Sequence, residues 1–334
     1  MRVWANQDAF GIENLKPVER PEPAPGAGEV VVDMKAVSLN YRDLLTVTMG
    51  AGNKLPLVPF SDGAGVVSAV GSGVSRVKVG DRVCPLFYQS WLSGQVTAES
   101  RSKPLGGPLD GVLQQRMKLI ADGVSKIPDH LSFEEAATLP CAGLTAWRAI
   151  AVEAPVGLGD TVLVQGTGGV SIFALQFAKA MGAKVIATSS SDVKLERAKR
   201  LGADHVINYK TSPEWGKETL KLTGGRGVDV VVEVGGDNTM SKSLQAVRFG
   251  GAIVVIGVLG GFTNNIFIPA LFEKNVKMIG ISIGSRDQFD DMAKHMANWK
   301  MHPVVDKVFP VDRVQDALKL MQAGGHFGKI CLKF

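Results

Sequence analysis

The chain has 334 residues, 45% hydrophobic and 21% charged, with a net charge of +5 and a pI near 9.0. That is ordinary globular composition, long enough to bury sizeable cores in about two domains of roughly 150 residues each. It excludes a membrane span, since no apolar stretch free of charge approaches the roughly 20 residues required, and nucleic acid is not the default partner, because no dense Lys/Arg cluster with interleaved aromatics is present.

In chain order, "ERPEPAPGAGEVVVDMKAVSLN" is a Pro/Gly lead-in followed by strand residues, and "GAGVVSAVGSGVSRVKVGDRV" is a set of short Val-rich strands broken by glycine. The N-terminus, "MRVWANQDAF", lacks the apolar core of a signal peptide. This first part reads as a small, mostly β domain of about 125 residues. The stretch "YQSWLSGQVTAESRSKPLGGPLDG" is polar and irregular and is expected to be a surface loop or lobe. From Gly157 the period changes. "GDTVLVQGTGG" is a strand and a glycine turn, "VSIFALQFAKAMG" a helix ending at Gly182, "AKVIATSSS" a strand and "DVKLERAKRLG" a helix. "HVINYK", "VDVVVEVGG" and "GAIVVIGVLG" follow as strands, with helical connections such as "MSKSLQAVRFG". This alternation predicts an α/β unit, a doubly wound parallel sheet with helices on both faces. Runs such as "VVVEV" suit strands buried on both sides. "VDRVQDALKLMQAGG" is a last amphipathic helix, with Asp312 at its start and Gly324 at its end. Cys84, Cys141 and Cys331 are odd in number and widely spaced, which fits no disulfide framework and implies a reducing cytoplasm. Cys84 and Cys141 read as buried small apolar residues rather than nucleophiles.

The turn Gly166, Thr167, Gly168, Gly169, Val170 follows a strand and opens a helix, the context that gives a glycine pattern meaning. Gly166 allows a sharp turn, Gly168 lets the backbone approach a pyrophosphate, and the helix start offers free N–H groups and a positive dipole. Ser171 stands where the usual third glycine would, small enough for close helix–strand packing. The plain alternative is a structural strand–helix turn. An NAD site usually carries an acid at the tip of the second strand. Here Thr188, Ser189, Ser190 and Ser191 occupy that tip, and Asp192 is expected to cap the following helix. Hydroxyls with Lys194 close behind would accept a 2′-phosphate, so NADPH is expected over NADH. Lys194 could equally be a solvated helix lysine.

"SLNYRDLL" (Ser38 to Leu45), "PFSDGAGVVSAVGSGVSRVKVGDRV" (Pro59 to Val83), "EEAATLPCAGLTAW" (Glu134 to Trp147), "LVQGTGGVSIFALQFAK" and "GGHFGKICL" (Gly324 to Leu332) together resemble the medium-chain dehydrogenase/reductase family. The likeness is to its zinc-free quinone oxidoreductase-like and zinc-independent alcohol dehydrogenase-like branch and spans nearly the whole chain. It implies a GroES-like β domain, residues 1–125 and 286–334, and a Rossmann domain, residues 126–285. It also implies a homodimer paired through "VKMIGISIG" (Val276 to Gly284); the apolar pattern itself leaves no membrane partner expected. Zinc-dependent relatives carry an early Cys where this chain reads Val37-Ser38-Leu39-Asn40, and a Gly-His-Glu where it reads Ser61-Asp62-Gly63. The five histidines, 130, 205, 295, 302 and 326, are scattered, so zinc is not expected. Without a Lewis acid, reduction of a quinone, enone or enal is the easier reaction, because charge spreads onto an oxygen that needs only a hydrogen-bond donor. The alternatives are an alcohol/carbonyl oxidoreductase and a cofactor-binding protein without turnover.

Tyr41 can orient or protonate a carbonyl, and a Tyr of this segment contacts substrate in the similar enoyl reductases; its alternative is packing. Asn40 and Asp62 are the other catalytic candidates, although Asp62 could simply cap a turn. Arg42 and Asp43 read best as an ion pair fixing the loop. The resemblance places Thr145 at the nicotinamide, Tyr209 near the adenosine phosphate, and Phe327, Gly328 and Lys329 beside the cofactor. Gly235, Gly236 and Gly257 end later strands, at the edge that faces ligand in such sheets.

Overall fold

The structure is a computed structural model that describes residues 1–334 except 262, 264 and 265. It divides into two compact units, Met1–Leu144 with Ile283–Phe334, and Thr145–Ser282.

The first unit is built on an antiparallel core of strands Glu29–Ser38, Asp62–Val70 and Arg82–Pro85, continued by Val124–Lys126 on one side and by Lys329–Lys333 and Val305–Pro310 on the other. Arg116–Ile120 pairs with Glu29–Ser38 off this path. Its residues alternate exposed and buried, the period-2 signature of a strand with one wet face. A core of Val32, Val67, Leu113, Phe60 and Leu332 fills the unit. The register sets Ser38 opposite both Asp62 and Cys331, so the end of one strand and the start of the next meet beside the middle of a third. The chain then enters a helix, Tyr41–Met49, that the sequence reading left as a post-strand segment. Asn40 is its N-cap: Asn40 N–H donates to Asp43 Oδ2 at 2.8 Å, half of a capping box with Asp43.

The boundary of this unit falls beyond the expected residue 125. Val124–Lys126 pairs with Arg82–Pro85, the helix Phe133–Ala136 follows, and Cys141 N–H donates to Asp62 at 2.9 Å, which ties 126–144 to the first unit. The Tyr88–Gly111 lobe is less of a free surface loop than its polarity suggested: Trp91 and Leu105 are each 1% exposed and anchor it. The last helix runs Val314–Gln322; Asp312 lies in the short 3-10 turn before it, not at its cap.

The second unit is a parallel sheet whose strands, taken in spatial order, are His205–Asn208, Lys184–Ser189, Thr161–Gln165, Val228–Glu233, Val247–Val255 and Lys277–Gly280. In chain order this is 3-2-1-4-5-6, the doubly wound arrangement with a switch point between Thr161–Gln165 and Val228–Glu233. Both of those strands are buried along their whole length, as their unbroken Val-rich sequences require. The helix Gly169–Ala180 packs on Thr161–Gln165 and Lys184–Ser189, with Phe173 and Phe177 stacked at 5.7 Å and Trp147 edge-on to Phe177 at 5.4 Å.

Candidate nucleotide edge and buried polar network

The glycine turn lies at the carboxyl end of Thr161–Gln165, at the switch point. Gly166 has φ +70°, which glycine adopts without strain. A Cβ on Gly168 would meet nothing within 4 Å, so packing does not demand a glycine there; open space of this kind fits close approach by a ligand. Gly168 N-caps the helix that begins at Gly169, and Val170 is its second residue, so the helix N-terminus, with its unpaired first-turn N–H groups, opens beside that space. Thr167 is buried. Ser171 does more than save room: its hydroxyl donates to Gln165 O at 2.6 Å and pins the helix to the strand end. These residues fit a dinucleotide.

At the next strand tip, Thr188 Oγ1 accepts from Gly166 N–H at 3.4 Å. Ser189 is buried, and its hydroxyl accepts from Ser191 N–H. Ser190 and Lys194 are half-buried. Ser191, not Asp192, is the N-cap, accepting from Lys194 N–H at 3.4 Å. Asp192 instead accepts from Asn208 at 2.7 Å. Tyr209 N–H donates to Ser189 O at 3.0 Å, which brings Tyr209 to this tip, with its side chain exposed. Gly235 and Gly257 stand where Cβ atoms would strike Thr239 Oγ1 at 2.4 Å and Val234 O at 2.6 Å, so loop packing requires these glycines. Thr145 opens the second unit on the short helix Leu144–Trp147 and is buried.

In the first unit the strand ends carry a buried polar network. Asp62 is fully buried, accepting from Ser61 Oγ at 2.8 Å and Cys141 N–H at 2.9 Å. Asn40 Nδ2 reaches Ser61 Oγ at 3.4 Å. Burial pushes the Asp62 carboxyl up, and Lys329, Ser61 and Asn40 oppose the rise. Asp43 is pushed up to about 6 by burial, against the pull of Arg42 and with the added repulsion of Asp62. Arg42 bonds Asp43 at 3.3 Å and Leu105 O at 3.1 Å and lies 4.9 Å over the Phe87 ring, the loop-fixing role expected of it. Tyr41, at the first turn of its helix, is 44% exposed, so its phenol is available to a ligand.

The resemblance set Lys329 beside a cofactor; the structure shows what its ammonium holds within its own unit. Its side chain is buried, and its ammonium donates to Leu39 O and to Asn40 Oδ1 at 2.5 Å. Gly328, with φ +78°, turns the chain so that Lys329 N–H meets Val304 O, and Phe327 is buried as well. Burial likewise pushes the Cys84 thiol well above its ordinary range, and the same holds for Cys141, whose residue is half-buried.

A GroES-like β unit together with a doubly wound sheet whose glycine turn sits at the switch point defines a nucleotide-dependent dehydrogenase or reductase. Two family models match the chain, the alcohol dehydrogenase GroES-like domain over residues 26–129 and the zinc-binding dehydrogenase over residues 169–298. A zinc-type alcohol dehydrogenase-like protein of Schizosaccharomyces pombe is 44% identical over 100% of this chain and 99% of its own. A solved NAD-dependent alcohol dehydrogenase is 34% identical, with a TM-score of 0.89 and 100% of both chains covered. A mycobacterial quinone oxidoreductase is 26% identical, with a TM-score of 0.83 and 100% of both chains covered, and a mycobacterial structure complexed with NADPH has the same figures. The chain belongs to the alcohol dehydrogenase-like medium-chain dehydrogenase/reductase family. It is one of that family's nucleotide-binding oxidoreductases.

The family name raises zinc. A catalytic zinc needs about three protein ligands of the Cys, His or carboxylate kind. Among the described residues no group of three or more His, Cys, Asp or Glu is arranged to hold a metal ion. The network beside Tyr41 offers a carboxamide, a hydroxyl and one carboxylate, with an ammonium already seated on the carboxamide. This donor set does not fit zinc.

Proposed function

We propose that the protein is an NADPH-dependent, zinc-independent reductase of quinones or of activated C=C bonds such as those of enones and enals. The observation that carries the reading is the Lys329–Asn40–Ser61–Asp62 network, whose donors suit hydrogen bonding and not metal ligation. A nicotinamide dinucleotide supplies hydride when bound. The chain must then hold the nucleotide and meet the charge that gathers on the substrate oxygen. Gly166 to Val170 and the helix start hold the pyrophosphate, and Thr188, Ser190 and Lys194 favour a 2′-phosphate. Thr145, Tyr209 and Phe327 belong to the nucleotide's surroundings in this reading. Tyr41 donates a hydrogen bond to the substrate oxygen, and Asn40 and Asp62 fix the segment that carries it. The NADPH-complexed mycobacterial structure and its quinone oxidoreductase counterpart support this reading.

The names of the alcohol dehydrogenase relatives favour a second reading, an alcohol/carbonyl oxidoreductase. A homodimer and a cytoplasmic site of action complete the proposal. Three free thiols suit a reducing compartment, and among the described residues no helix is long and apolar enough to cross a membrane. The test is a nucleotide-consumption screen against quinones, enals, enoyl thioesters and alcohols, with NADPH and NADH for reduction and their oxidised forms for the alcohols. Turnover of a quinone or enone with NADPH is expected. Turnover of alcohols alone would establish the second reading.

A further inference from the structure

Glu233 closes the strand Val228–Glu233 and is fully buried. In an apolar strand such a carboxyl group is costly unless its oxygens are satisfied. Every donor that reaches it is neutral. Oε1 accepts from Gly235 N–H at 2.8 Å, Gly236 N–H at 3.0 Å and Thr239 Oγ1 at 2.5 Å. Oε2 accepts from Gln165 Nε2 at 2.7 Å and from the Ser243 hydroxyl. Gln165 is the residue just before the glycine turn. Its side-chain oxygen accepts from Val234 and Gly235 N–H at 3.3 Å, and its backbone oxygen takes Ser171 Oγ. Glu233 O in turn accepts from Ile256 N–H at 2.9 Å and Gly257 N–H at 3.3 Å. Gly260 N–H then donates to Gly235 O at 2.6 Å. One residue therefore ties together the loops that follow three adjacent parallel strands, at the edge where a nucleotide lies.

We infer that Glu233 is a positioning residue for nucleotide binding, holding the glycine turn and the Gly235–Thr239 turn in their binding geometry before the nucleotide arrives. A loop ordered in advance spares the ligand the entropy of ordering it. The residue touches no substrate in this role and acts only through the turns. Glu233→Gln keeps the volume but turns one acceptor into a donor that faces other donors, so it should loosen one turn.

NADPH and NADH are titrated into the wild-type protein, Glu233→Gln and Thr239→Val by nucleotide fluorescence, with thermal unfolding in parallel. The wild-type titrations report which nucleotide is preferred, and the variant-to-wild-type ratio reports on Glu233. Glu233→Gln should raise Kd at least tenfold for both nucleotides while kcat at saturating nucleotide stays within about threefold, a split that lost stability alone does not produce. Thr239→Val, which removes a single donor, should move Kd the same way by less. A lowered unfolding temperature with Kd within twofold of wild type in both variants would overturn the inference. If Glu233→Gln does not fold, Thr239→Val and Ser243→Ala decide it, and unchanged Kd in both would overturn it.

Discussion

Asp43 and Asp229 are buried carboxyl groups driven in opposite directions. Asp43, pushed up to about 6 mainly by burial, holds its proton more tightly folded than unfolded. Its contribution to stability is therefore fully present below the ordinary carboxylate range and is lost as pH rises through about 6. Asp43→Asn can still accept from Asn40 N–H and should flatten the fall in stability between about pH 4 and 7, read by denaturant titration across pH; an unchanged slope would contradict the assignment. For Asp229, burial raises the pKa, but bonds from Arg226 and Arg248 and from Thr161 N–H outweigh it and hold the carboxyl below its ordinary range. Its contribution is present above that range and is lost as pH falls through the folded pKa, so Asp229→Asn should weaken the protein at neutral pH and reduce its sensitivity to acid. Tyr41→Phe tests the proposed donor. A loss of about 10²–10³ in kcat, with NADPH affinity unchanged, is expected if the phenol meets charge in the transition state; a change under about threefold would remove Tyr41 from the reaction. Of these residues the sequence marked Tyr41, Asn40 and Asp62 by type and place. It could not show Lys329 on Asn40, because 289 residues separate them and no local pattern reports such a contact. Glu233 left a signal that went unread: an acid inside "VVVEV" had to find donors if the strand was buried on both sides.

At the scale of elements, periodicity carried most of the fold. Alternation of apolar strands with helices made the parallel sheet legible, whereas the order of its strands, and so its switch point, came only from the structure. The helix Tyr41–Met49 was missed because Thr46, Val47 and Thr48 resemble a strand, although Asn40 with Asp43 three residues on is a cap signature. Short π-helical turns at Leu139–Gly143 and Arg148–Glu153 have no simple period and were beyond this kind of reading. The strand tip at Ser189–Ser191 now admits a sharper test. Ser189 is buried and bonded, whereas Ser190 is half-buried. Ser190→Asp should therefore place a charge at the tip with little damage to the fold and weaken NADPH relative to NADH at least tenfold, about 1.4 kcal/mol. Equal affinities of the wild type for both nucleotides would contradict the proposed preference. In the helix that follows the glycine turn, Phe177→Ala empties the contact with Trp147 and Phe173 and should cost about 3–5 kcal/mol in chemical unfolding.

For the whole molecule, the strand Lys277–Gly280 ends its sheet with one edge unpaired among the described residues, and Phe267 and Phe272 nearby in the chain are 70% and 65% exposed. Unpaired edges and exposed aromatics are hazards for a lone chain. The proposed dimer should appear as twice the chain mass in light scattering, and Phe272→Glu should shift it toward monomer. The central claim, however, is that this chain, although matched by a zinc-binding dehydrogenase model, works without zinc. The measurement is NADPH oxidation with a quinone or enone by protein dialysed against a strong chelator, with zinc counted by elemental analysis in the same sample. The account predicts an undiminished kcat at far less than one zinc per chain. Activity lost on chelation and restored by one equivalent of zinc would contradict it.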